Sequence, residues 1–175
     1  MTAPGHAVAS ATADRLNGLD DASAAVELAS CCAARSWLDA MLDARPYRSD
    51  AELFARSDGL VAALDDAGLA EALAAHGRIG ERREGQDREA AWSRDEQAAA
   101  LAAGGDVQAR LARGNRAYEE RFGRIFLVRA AGRTAEEMLA ALHDRLRHDE
   151  ETERTVVLHE LAAIVRLRLT ALGRA

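Results

Sequence analysis

Three side chains stand in settings where proton transfer or anion binding would use them. His76 closes an apolar helical pattern just before Gly77. An imidazole there is favoured by the negative end of the helix dipole, and it is also the one side chain that ordinarily titrates near neutral pH. Glu96 is the third residue after Ser93, and Ser93-x-x-Glu96 has the form of a capping box. Its carboxylate is therefore either a helix cap or an acid–base group. Arg168 falls four residues after Ile164, three after Val165 and four before Leu172, so it interrupts an apolar stripe. A guanidinium on a buried face needs an anionic or hydrogen-bonding partner, and an internal carboxylate and a substrate carboxylate both satisfy that. Arg166 lies two residues earlier, beside Ala162, Ala163 and Thr170, about 200° away around the helix.

The remaining candidates are weaker. His143, His148 and His159 lie among Asp, Glu and Arg and read as solvated; their spacing matches no zinc signature. Cys31 and Cys32 are adjacent, a bridge between them would be strained, and no CxxC pair is present. No metal site is expected. All 23 positive charges are arginines, which excludes a Walker-type phosphate loop and an internal Schiff-base lysine. A net charge of −6 without a basic block argues against nucleic-acid binding. No apolar run approaches about 18 residues and no basic-then-apolar leader is visible, so neither a membrane span nor a secretory signal is expected and the cytoplasm is the default compartment.

These residues need elements to hold them. At about 150 residues per domain, the 175 residues make one domain, and 49% hydrophobic with 30% charged residues is the composition of a packed globule. Residues 1–15 are small, polar and aperiodic and read as a frayed leader, with the domain over 16–175. Leu28, Cys32, Trp37 and Met41 predict helix up to Ala44, stopped by Pro46. A second helix is predicted over Ala51 to Leu64, and a third capped by Asp66 and ending near His76. Gly80 to Ala90 is charged and aperiodic and reads as a mobile loop. Ser93 opens the next helix, Asp106 begins another that ends at Gly123, and Thr134 with Glu137 is a second capping-box form. Ile125 to Val128 is too short for periodicity to arbitrate between extended and helical. The last helix covers roughly Glu150 to Leu172. The fold class is all-α, a compact bundle of about seven to eight helices.

At this point the sequence resembles the 2-oxo-4-hydroxy-4-carboxy-5-ureidoimidazoline (OHCU) decarboxylases of urate catabolism. Six blocks carry the likeness, in order along the chain. They are Cys31-Cys32 with Arg35-x-Trp37; Ala44-Arg45-Pro46-Tyr47; Ala75-His76-Gly77-Arg78-Ile79-Gly80; Trp92-Ser93-Arg94-Asp95-Glu96-Gln97-Ala98; Asn115-x-x-Tyr118-x-x-Arg121-Phe122-Gly123-x-x-Phe126-Leu127-Val128; and Glu160-Leu161-x-x-Ile164-x-x-Leu167-Arg168-Leu169.

The resemblance implies a helical bundle, commonly a homodimer, that decarboxylates a small-molecule substrate without metal or organic cofactor. It implies His76 and Glu96 as catalytic residues, and Ser93, Gln97 and Arg168 as substrate-binding side chains. It also implies that backbone around Phe122, Gly123 and Ile125 lines the substrate ring. Gly77 stands where the family usually has Pro, and Arg124 where it has an apolar residue. Two other readings remain: a non-enzymatic helical interaction module, which composition alone allows, and a related cofactor-free ureide lyase or isomerase.

Overall fold

The computed structural model describes residues 11–79 and 104–174. Among them lie eight helices and no strand: α1 (Ala11–Gly18), α2 (Asp21–Cys31), α3 (Arg35–Asp43), α4 (Asp50–Ala62), α5 (Asp66–Ala74), α6 (Gly105–Phe122), α7 (Ala135–Arg145) and α8 (Glu150–Leu172). The starts are written in the sequence. Asp20, Ser49, Asp65, Thr134 and Asp149 each precede a helix, and each side chain accepts from the amide three residues on. The Thr134–Glu137 capping box forms in both directions. Gly123 ends α6 in the left-handed conformation (φ 64°), which glycine adopts without a Cβ clash.

Three expectations need correction. The helix predicted up to Ala44 is two helices, because Cys32 is extended (φ −150°, ψ 125°) and the chain turns before Arg35. The break lets Cys31, Cys32, Ala34 and Trp37 all enter the core. Apolar spacing of three and four survives a kink, so the pattern does not reveal it. Residues 11–15 of the presumed leader are not frayed. They open α1, where Thr12 and Ala13 are buried. The Ala13 amide donates to Asp50 (2.7 Å) and the Thr12 hydroxyl to the Leu169 carbonyl (3.3 Å). Small residues make this contact, and small residues leave no apolar period. Finally, the cap of α5 is Asp65, not Asp66, with its carboxylate accepting from the Gly68 amide at 2.8 Å.

Two apolar cores result. Trp37, Leu28, Leu53, Leu161 and Leu169 belong to the first, which joins α1–α5 to α8. Leu111, Tyr118, Met138 and Leu142 belong to the second, between α6 and α7. Gly114 lets those helices approach closely, since a Cβ there would lie 2.4 Å from the Leu142 side chain. After Gly123 the chain runs between the two cores without regular secondary structure. Ile125 and Leu127 pack into the first core, whereas Phe126, Val128 and Ala130 pack into the second. That alternation is the period of an extended chain, which settles the conformation that length left open.

Burial pushes the Cys31 thiol up to about 12 and the Cys32 thiol up to about 11, against the opposing pull of the Arg168 charge. Both should resist alkylation at pH 8 in the folded protein and react once it is denatured. Unfolded thiols ionise from about pH 8.5, so this contribution to stability is whole below that pH and is lost as pH rises toward the folded values. Native-state labelling as fast as denatured-state labelling, or a melting temperature flat from pH 8 to 11, would contradict the burial.

Candidate active site

His76 lies just beyond α5, its amide bonded to the Leu73 carbonyl at 2.9 Å. Its Nδ1 is 2.9 Å from the Ala72 carbonyl oxygen. A carbonyl can only accept, so Nδ1 carries a hydrogen and donates. Nε2, the ring's other nitrogen, is buried. Two contacts from α6 hold the following turn. The buried Asn115 donates to the Ile79 carbonyl (2.9 Å), and Arg78 donates to Glu119 (2.8 Å). Both use residues one turn apart on α6, which explains why Asn115 and Glu119 sit four residues from each other.

Across from this turn, the extended segment forms a wall. His76, Gly77 and Ile79 on one side, the chain from Phe126 to Ala130 on another, and Ile164 and Leu167 of α8 enclose a cavity of about 20 Å³. Arg168 follows one turn after Ile164 on the same helix and is 3% exposed. Its charge is felt by the Cys31 and Cys32 thiols beneath it. Arg166 instead is exposed, ion-paired with Asp58 and set over the Phe54 ring at 5.0 Å. The two arginines occupy opposite environments, as their spacing predicts.

Among the described residues the wall has no neighbouring strand, and charged side chains satisfy part of its backbone. The buried Arg145 donates to the Leu127 carbonyl (2.7 Å), and the Glu160 carboxylate accepts from the Arg129 amide (2.7 Å). Arg145 is in turn bound to the fully buried Glu153 through Nε (2.8 Å) and Nη2 (2.6 Å), and lies 4.6 Å over the Phe126 ring. The Tyr118 hydroxyl donates to the same Glu153 oxygen. Burial first, then that bond, raises the Tyr118 pKa well above the usual phenol value. His148 pairs with the other Glu153 oxygen at 2.9 Å and is half-buried, which corrects its reading as solvated; His143 and His159 are exposed as expected.

Not every residue expected at the site lines this cavity. Phe122 turns into the second core against Tyr118, with ring centroids 4.7 Å apart. Phe122 and Gly123 border a separate depression with Arg124 and Glu150, and Ile125 borders another with Glu119 and Gly123. The wall of this cavity runs from Phe126 to Ala130, because Gly123 first has to end α6 before the chain can pass between the cores. The Phe126-Leu127-Val128 run was the available signal. Arg124 pairs with Glu150 at 2.7 Å and is not part of the cavity lining among the described residues. Ser93, Glu96 and Gln97, and the loop predicted over Gly80 to Ala90, lie outside the described residues. Among the described residues, no three His, Cys, Asp or Glu side chains gather to hold a metal ion, and no helix is long and apolar enough to cross a membrane.

A search of curated protein sequences finds no match. Among solved structures, the fold is similar to an OHCU decarboxylase crystallised in the presence of (S)-allantoin. The TM-score is 0.73 at 23% identity, covering 90% of this chain and 100% of that one. It is also similar to an (S)-allantoin synthase, with a TM-score of 0.67 at 20% identity, covering 91% of this chain and 53% of the longer one. At these identities the structural likeness establishes the fold. The family model for OHCU decarboxylase matches residues 17–170, nearly the whole chain and all of the elements that build the cavity. The chain belongs to the OHCU decarboxylase family.

Proposed function

We propose that the protein decarboxylates 2-oxo-4-hydroxy-4-carboxy-5-ureidoimidazoline to (S)-allantoin at the cavity beside His76. One observation carries the reading: in a chain of this family, His76, which matches the histidine of the family motif, has its Nδ1 within hydrogen-bond distance of the Ala72 carbonyl beside a cavity wall. In the substrate, the carboxylate is attached to a ring carbon next to a C=N bond. As CO2 leaves, the electron pair of the broken bond forms a new C=C bond, and the C=N π pair moves onto the ring nitrogen, which takes up a proton; the substrate is its own electron sink. Protonation of the neighbouring carbon, with loss of the hydroxyl proton, then gives the ketone form of allantoin. Protonation from one face only gives one hand.

The protein's work is orientation and proton transfer. His76 exchanges a proton through Nε2 while the Ala72 carbonyl fixes the ring. Glu96 completes the acid–base pair, and Ser93 and Gln97 hold the ring's polar edges, by their match to the family motif. Arg168 receives the substrate carboxylate; a guanidinium suits that planar two-pronged contact. The reading includes a homodimer in the cytoplasm, where the reduced, buried Cys31 and Cys32 are at home. Freshly generated substrate tests the activity. CO2 release with a growing circular dichroism signal from (S)-allantoin is expected, and substrate decay no faster than without protein would overturn the reading.

The two arginines of α8 provide a sharper check. Arg168→Ala should weaken turnover or binding by about 2–5 kcal/mol, as for removing one partner of a buried charge pair. Arg168→Lys should also be impaired, because an ammonium does not reproduce the fork. Arg166→Ala should stay within about 0.5 kcal/mol of wild type. Steady-state kinetics decide it: equal defects at both positions would mean that burial on α8 has no bearing on the reaction.

A further inference from the structure

We propose that Glu160 is a positioning residue of the site, setting where the Arg129 end of the wall stands relative to α8. The inference rests on the cavity being the place of reaction. Glu160, Ile164 and Arg168 recur every four residues and share one face of α8. Ile164 lines the cavity, Arg168 is buried one turn beyond it, and Glu160 holds the Arg129 amide at 2.7 Å one turn before. One helix face therefore carries the cavity floor, the buried cation and the anchor of the opposing wall.

The anchor is stronger than a neutral hydrogen bond, because a carboxylate accepting from an amide is charge-assisted. It also takes the place of a sheet bond, since no strand lies among the described residues. Without it the Arg129 amide loses its acceptor, and the wall is free to move away from Ile164 and Arg168. A misplacement of about 1 Å between binding groups can reduce rate about 100-fold. The other carboxylate oxygen bonds Arg133 at 3.0 Å, in a pair that is one-third exposed on the arginine side. That second bond separates the roles of charge and position. Glutamine keeps an oxygen for the Arg129 amide but loses the charge that attracts Arg133. Loss of the Arg133 side chain removes the ion pair and leaves both the carboxylate and its bond to the Arg129 amide in place.

Glu160→Ala, Glu160→Gln and Arg133→Ala, assayed beside wild type with freshly generated substrate, test the proposal. The Arg129 amide exchange rate, read by NMR, accompanies the kinetics. Glu160→Ala is expected to lower kcat/KM about 10- to 100-fold at an unchanged circular dichroism spectrum, with faster Arg129 exchange. Glu160→Gln should recover to within about 3-fold of wild type, and Arg133→Ala should match wild type; rescue by the amide is what a purely structural ion pair would not give. Active wild type with an unimpaired Glu160→Ala overturns the proposal alone, as does equal impairment in the Gln and Ala variants. A wild type that does not turn the substrate over overturns the assigned reaction, and the proposal with it.

Discussion

Replacing His76 by alanine is expected to lower decarboxylation about 10²- to 10⁴-fold while leaving the helical circular dichroism spectrum intact. That range is the usual contribution of one positioned acid–base group. The half-buried ring sits beyond the end of α5 and makes its Ala72 contact with a carbonyl that already belongs to the helix terminus. The ring is not itself among the largest fully buried side chains, so its loss should leave the helices standing. Glu96→Ala should fall in the same range, through the family match. The double variant should then lose little more than either single one, because two groups acting as one proton-transfer unit are not additive. Kinetics of the three variants with CO2 release as readout test this. Near-native turnover in either single variant would remove that residue from the chemistry.

The second large effect is on stability. Arg145→Ala or Glu153→Ala should destabilise the fold by about 3–5 kcal/mol, since each leaves an uncompensated buried charge. For a chain of this size that is a fall in Tm of roughly 6–20 °C. The deleted partners explain the magnitude. Arg145 serves Glu153, the Leu127 carbonyl and the Phe126 ring, whereas Glu153 serves Arg145, Tyr118 and His148. Replacing both residues together by leucine should be less harmful than the sum of the single changes, because an apolar pair leaves no charge in the core. Thermal melts of the two single variants and the double variant measure the coupling. Strict additivity would show that the two charges do not act as a pair.

What the sequence reveals and what it hides can be traced residue by residue. Capping chemistry is local, so Thr134, Glu137 and Gly123 announce their helix ends without reference to anything distant. The long period of α8 distinguishes the buried Arg168 from the exposed Arg166, because the angle between two positions depends on the helix alone. The break at Cys32 is hidden, since it preserves the apolar spacing while redirecting the chain. The start of α1 is hidden for a different reason: Thr12 and Ala13 are buried by closeness to Leu169 and Asp50, which are far along the chain. The site shows the same division. His76 and Arg168 are marked by their own helices. That Phe126–Ala130 line the cavity beside His76 depends on two cores that exist only after folding.

The wall's alternation between cores makes its length more important than most of its side chains. Ile125 and Leu127 face one core while Phe126, Val128 and Ala130 face the other. Among these residues a conservative apolar exchange changes one contact and leaves the others in place. A single residue inserted after Gly123 would instead reverse every side chain that follows, delivering Phe126 to the space shaped for Leu127 and carrying the amide held by Glu160 to the wrong side. Two inserted residues would restore the parity and leave only slack to absorb. Descendants of this chain should therefore vary in spelling between Gly123 and Ala130 far more readily than in number, and where the number does change, it should change by pairs.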